Sequence, residues 1–184
     1  LCEEGKKPDF EVSFTSGSAA DIVFVFDDTG SMGDEITGMK NALSSFVDKI
    51  EDAGIDARYA LISFKDIVTL DQDFTDNKEI IQSAVNALSA SGGGDGREDD
   101  FDAIAGATRN KAPDSGGSLS AYRPDAQRVI IDITDAPAQV DNEDAYMNDE
   151  ARTDYVMDEI EALLSGYTFI AISPDLSEIG RASC

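Results

Sequence analysis

The chain has 184 residues, a length that fits one domain with a single core, and 41% of them are apolar. No run approaches the roughly 18 uncharged apolar residues that a membrane span needs. Its 38 Asp plus Glu against 14 Lys plus Arg leave a formal charge of −24, which argues against binding phosphate backbones or anionic lipid, since both require basic patches.

In chain order, Phe10, Val12 and Phe14 alternate as an extra edge strand would, within an N-terminal extension over residues 1–19. Residues 21–26 are a β-forming run, almost wholly apolar, suited to a strand covered on both faces, and it ends at Asp27, Asp28, Thr29 and Gly30. Ile36, Met39, Leu43, Phe46, Val47 and Ile50 then recur at three-to-four spacing, predicting an amphipathic helix that stops near Gly54. Tyr59 to Phe64 reads as a second strand, and Val68 to Phe74 as a third. The turn between them is so short that the pair should be antiparallel at a sheet edge. Thr75 or Asp76 is positioned to cap a helix carrying Ile80, Ile81, Ala84, Val85 and Leu88.

The Ser/Gly-rich stretch 89–96 is a loop, followed by a helix over about Asp99 to Asn110. Pro113, Gly116, Gly117 and Pro124 mark 111–126 as a surface excursion open to insertion. Val129 to Ile133 is a buried strand ending at Thr134 and Asp135, Val156 to Leu164 a late helix, and Tyr167 to Ile172 a last strand. This alternation predicts an open doubly wound α/β sheet, mostly parallel, with one antiparallel edge strand and helices on both faces.

The sequence contains no His, which removes the commonest general base and the commonest transition-metal ligand. Zinc and copper sites are disfavoured accordingly. Cys2 and Cys184 lie at opposite ends, and a bridge between them would close nearly the whole chain into one loop. That pairing is the favoured reading and implies an oxidising compartment; the alternatives are two independent thiols or partners outside this sequence. A start at Leu1 without a leader fits a piece of a longer exported protein.

Doubly wound sheets place ligand sites at the carboxyl ends of their strands. There the first strand delivers Asp27, Thr29 and Ser31, the loop before the third helix brings Asp95 and Glu98, and the fourth strand delivers Asp135. Alternate spacing at 27, 29 and 31 lets one turn aim a carboxylate and two hydroxyls at one centre. Few carboxylates with neutral oxygens suit Mg²⁺.

The run Asp27-Asp28-Thr29-Gly30-Ser31-Met32 resembles the metal-ion-dependent adhesion site of von Willebrand factor A domains, with Thr29 at the first hydroxyl position of Asp-x-Ser-x-Ser. The segment from Asp95 through Glu98 to Phe101-Asp102-Ala103-Ile104 is similar to the Asp-x-Pro-Glu-Gly-Gly-Phe-Asp-Ala-Ile segment of integrin β-subunit I-like domains, and Thr134-Asp135-Ala136 to their third metal loop. The resemblance implies a von Willebrand A, Rossmann-like domain over 20–184, truncated before the family's last strand and helix. It also implies an Mg²⁺ or Mn²⁺ held by Thr29, Ser31 and Glu98, with Asp27 and Asp135 bound directly or through water. An adjacent Ca²⁺ would use Asp34, Glu35 and the Ser31 carbonyl. A candidate third site would use Asp95, the Arg97 carbonyl and Glu98, although Gly93 stands where the family has Asn. The implied function is metal-dependent adhesion, in which the ion coordinates an Asp or Glu of a protein partner. No role on nucleic acid, in membrane insertion or in catalysis is implied.

The long specificity loop of integrin β subunits is absent, because Phe64 to Val68 makes a direct turn. The expectation is therefore a prokaryotic cell-surface or secreted protein. Of the other acids, Asp71, Asp73 and Asp76 lack the Gly and Glu of a calcium loop and read as a solvated face, and residues 141–150 read as solvated loop and helix-start positions. The competing reading is a haloacid-dehalogenase-like Mg²⁺ phosphatase with Asp27 as nucleophile. That chemistry usually needs a second Asp two positions on, where this chain has Thr29.

Overall fold

The structure is a computed structural model that describes residues 18–93, 99–135 and 155–172. Strand β1 (Ala19–Asp27) leads through a single 3-10 turn into α1 (Gly33–Asp52), then β2 (Asp56–Phe64), β3 (Val68–Thr75) and α2 (Lys78–Ala87). The chain continues through α3 (Asp100–Ala107), β4 (Ala126–Ile133), α4 (Met157–Leu163) and β5 (Thr168–Ile172). This element order is the one that the apolar periodicities predict. The sheet runs β3-β2-β1-β4-β5, parallel throughout except for the antiparallel β2–β3 pair.

Two apolar layers follow from the alternation along β1. Ile22, Phe24 and Phe26 face α1 and α2, packing with Leu43, Val47, Ile81 and Val85. Val23 and Val25 face the other way, toward Ala103 and Ala107 of α3. A strand buried on both faces has to be apolar at successive positions, which is why 22–26 contains no polar residue. Each such Phe or Ile withdrawn from water contributes about 1.5–3 kcal/mol. On the outer side of α3, Phe101 and Ile104 meet Ile160 of α4.

Two local expectations are corrected and a third is refined. Asn77, rather than Thr75 or Asp76, caps α2: its side chain accepts from the Glu79 and Ile80 amides. Helix α3 stops at Ala107, three residues before Asn110, and Arg109 just beyond it takes a left-handed φ of 64°. Segment 111–126 is pinned to the sheet edge. Ser115 exchanges backbone hydrogen bonds with Val68 and Leu70, Leu119 and Tyr122 are buried, and Asp73 accepts from the Ser120 amide. Gly116, at φ 82°, lies so close to the Leu70 carbonyl that a Cβ there would meet its oxygen at 2.0 Å. The segment thereby covers part of the β3 edge that would otherwise offer unpaired backbone groups. The Phe10–Phe14 strand, Cys2 and Cys184 lie outside the described residues.

At the amino end of β1, the fully buried Asp21 is clamped by two arginines. Arg58 donates Nε and Nη2 to its carboxylate at 3.0 and 2.7 Å, and Arg123 donates its amide and Nε at 2.6 and 2.9 Å. Burial alone would push this carboxyl up, but those bonds hold it below the usual carboxylate range. The clamp fixes the lower end of the sheet, opposite the loops described next.

Candidate functional site

Strands β1 and β4 are neighbours, with Phe26 opposite Ile133, yet the chain leaves β1 toward β2 on its other side. Connections diverging from adjacent parallel strands open a crevice at their carboxyl ends. Asp27 closes β1 there, and Thr134 and Asp135 follow β4.

Asp27 is completely buried. Its Oδ1 accepts the Thr29 amide at 2.9 Å, and its Oδ2 accepts the Thr134 hydroxyl at 2.8 Å. Thr29 is buried as well, and its Oγ1 lies 3.2 Å from the Ser31 Oγ. Ser31 is exposed and donates to Asp135 Oδ1 at 3.0 Å. One chain of oxygens therefore runs from a buried carboxylate to the surface and joins the two strand ends. Gly30 permits the turn, since its amide donates to the Gly92 carbonyl at 3.1 Å and a Cβ would meet that oxygen at 3.3 Å.

Negative charge is concentrated around this crevice. Burial raises the Asp27 carboxyl, the Thr29 and Thr134 bonds pull it back, and the Asp135 charge raises it further. Asp100, at the start of α3, and Asp132, inside β4, are both buried and close enough that each shifts the other. Burial, with the charge of Asp27, pushes Asp100 up to about 7. Burial and the charge of Asp100 push Asp132 well above the usual range. Asp99 rises to about 7 through burial and the Asp102 charge. Where carboxylates are driven toward protonation, a cation can replace the proton.

Two carboxylates and two hydroxyls with no basic side chain among them form a hard-oxygen set that fits a divalent ion. Among the described residues no three Asp, Glu, Cys or His side chains converge on a point. The set thus comprises Asp27, Thr29, Ser31 and Asp135, while Glu98 and Asp95 lie outside the described residues. Asp34 and Glu35 fall in the first turn of α1, Asp34 exposed and Glu35 half-buried. Acids there also favour the positive end of the helix dipole.

Sequence reasoning missed three participants. Thr134, placed in the third metal loop but given no role there, is the second donor to Asp27. Asp132 interrupts the apolar run from Val129 to Ile133, a visible signal of a special site. Lys65 in the β2–β3 turn pairs with Asp28 at 2.7 Å, a contact across the fold that no spacing encodes.

The family model of the von Willebrand factor A domain matches residues 21–152. No curated protein matches the chain. Among solved structures, the vWF domain of the type V pili tip protein Mfa5 from Porphyromonas gingivalis is 22% identical, with a TM-score of 0.52 over 70% of this chain and 43% of that one. A von Willebrand factor type A structure from Catenulispora acidiphila is 20% identical, with a TM-score of 0.57 over 85% and 33%. Proximal thread matrix protein 1 from the mussel byssus, solved with a zinc-occupied MIDAS motif, is 23% identical, with a TM-score of 0.58 over 86% and 36%. These likenesses are of fold, and the chain spans less than half the length of each of these structures.

Proposed function

The chain belongs to the von Willebrand factor A domain family, and from that premise we propose that it is an adhesion-type binding domain. In this reading a divalent cation at Asp27, Thr29, Ser31, Glu98 and Asp135 receives a carboxylate from a protein partner. The observation that carries the reading is the Ser31 hydroxyl. It lies against both Thr29 Oγ1 and Asp135 Oδ1, and so brings the ends of β1 and β4 to one polar point above the buried Asp27. Exposed Ser31 gives the ion a solvent-facing side, and the bound ion would supply a positive charge for an acidic ligand.

Mg²⁺ or Mn²⁺ is the proposed occupant, on the hardness of the oxygen set. Zinc is to be tested beside them, because the byssal protein carries it in the corresponding motif. Asp34 and Glu35 are proposed for an adjacent Ca²⁺, and Asp95 for a third site. The direct β2–β3 turn, with Phe64 paired to Val68, supports an integrin β I-like domain of the prokaryotic kind that lacks a specificity loop. Pilus-tip and byssal-thread sources of similar folds support an extracellular or cell-surface setting within a larger protein. No helix among the described residues is long and apolar enough to cross a membrane.

The phosphatase reading is disfavoured by Asp27 itself. Each of its oxygens accepts a hydrogen bond and the residue is fully buried, so it is not presented for direct attack on phosphorus, whereas a cation needs it only through a bridging water. Calorimetric titration with Mg²⁺, Mn²⁺, Ca²⁺ and Zn²⁺ on wild type, Asp27→Ala and Glu98→Ala tests the proposal. Loss of the tightest site in both variants is expected. Retention in both overturns it, and phosphatase turnover that disappears with Asp27 would support the enzyme instead.

A further inference from the structure

Three loops meet at the crevice: the one after β1, the β2–β3 turn, and the segment between α2 and α3. Among their described residues Lys65 is the one basic side chain. Its Nζ donates to Asp28 Oδ2 at 2.7 Å and to the Ser91 carbonyl at 3.1 Å. Its own carbonyl accepts the Asp99 amide at 3.1 Å. Asp28 completes the knot, donating its amide to the Phe64 carbonyl and accepting the Ser91 amide at its own carbonyl, each at 3.1 Å. Lysine and aspartate side chains are only 26% and 13% exposed, so the pair is shielded well beyond an ordinary surface contact.

We propose that Lys65 is a positioning residue of the cation site, its ammonium tying Asp28 to Ser91 and so holding residues 91–92 against the Asp27–Ser31 turn. The inference rests on the adhesion-site reading above. A lysine near a divalent-cation site repels the ion, so its charge alone weakens binding. Its placement makes sense through what it holds. Asp28 carries a second carboxylate next to Asp27, and its Oδ1 is buried without a partner. Without the ammonium, Asp28 would have to leave for water, releasing the Ser91 carbonyl with it. Ser91 does not need to touch the ion for this. It fixes the backbone next to Gly92, whose carbonyl the Gly30 amide also grips.

Charge and position predict opposite signs, which makes the inference testable. Lys65→Met and Lys65→Gln remove the same charge, but only Gln keeps a donor for Asp28 and Ser91. Mg²⁺ titration calorimetry should show Lys65→Met binding about ten- to a hundredfold more weakly than wild type, the range of losses when groups orienting metal ligands are removed. Lys65→Gln should lose less. Hydrogen exchange at the Ser91 amide should speed up in both variants, while the Asp99 amide, bound to the Lys65 main-chain carbonyl that both variants keep, and Val23 and Val25 in β1 stay protected. Binding by Lys65→Met equal to or tighter than wild type, or identical to that of Lys65→Gln, overturns the proposal. Should Lys65→Met unfold, Lys65→Gln against wild type carries the same sign test. Absence of a stoichiometric Mg²⁺ site in wild type would instead refute the cation-site reading itself, and the exchange data report on the loop separately.

Discussion

Replacing Thr134 by Val keeps the shape of a buried side chain and removes the hydroxyl that donates to Asp27 Oδ2 at 2.8 Å. The cost depends on whether Asp27 is ionised. A hydrogen bond to a charged group contributes about 1.5–3 kcal/mol, and a neutral one about 0.5–1.5 kcal/mol. Asp27 already has a folded-state value above its ordinary 3.8, because burial opposes its charge. Its contribution to metal-free stability is therefore complete below pH 3.8 and is lost as pH rises through the higher folded value. The Thr134 bond lowers that folded value, so the variant raises it and deepens the loss. Urea unfolding of wild type and Thr134→Val in chelator, at pH 4.5 and 8, should give a destabilisation of about 2 kcal/mol at pH 8 and about 1 kcal/mol or less at pH 4.5. A penalty equal at both values, or larger in acid, would refute the claim that the hydroxyl serves an ionised Asp27.

Asp132→Asn removes a charge buried beside Asp100 and should stabilise the metal-free protein by about 1–3 kcal/mol at pH 8. Because its raised value makes it a liability only as pH climbs, the gain should vanish toward pH 4 in the same urea series. Asp21→Asn has the opposite sign: the carboxyl is held low, so its stabilisation is present above pH 3.8 and is lost in acid. A cost of about 3 kcal/mol at pH 7 is expected, at the low end for a broken buried ion pair because the two guanidinium groups are a quarter exposed. Mg²⁺ affinity should not change, because the clamp sits at the opposite end of β1 from the crevice.

The fold was legible because burial on both faces of β1 imposes an apolar run, and burial on one face of α1 imposes a three-to-four repeat. The Asp27, Thr29 and Ser31 cluster was legible for a related reason: one tight turn carries all three, so spacing stands in for distance. Asp135 joined it through the doubly wound topology, which aligns the ends of β1 and β4. Thr134 was harder to see, because a threonine ending a strand is ordinary until its hydroxyl is found against Asp27. The Lys65–Asp28 pair and the Asp100–Asp132 pair depend on segments 37 and 32 positions apart in the sequence, and only the packed structure joins them. The pinned segment 111–126 looked like a free loop because its Pro and Gly residues mark turns equally well in an anchored strap.

With a formal charge of −24, the surface will attract divalent ions diffusely, and a specific site must stand out from that background. Substoichiometric Mn²⁺ added to ¹⁵N-labelled protein separates the two through paramagnetic broadening of amide signals. The account predicts that Thr29, Ser31 and Asp135 broaden first, while Ala20 and Arg58 at the far end of the sheet remain sharp. Uniform loss of signal across the acidic surface, or first broadening away from the β1 and β4 ends, would contradict it.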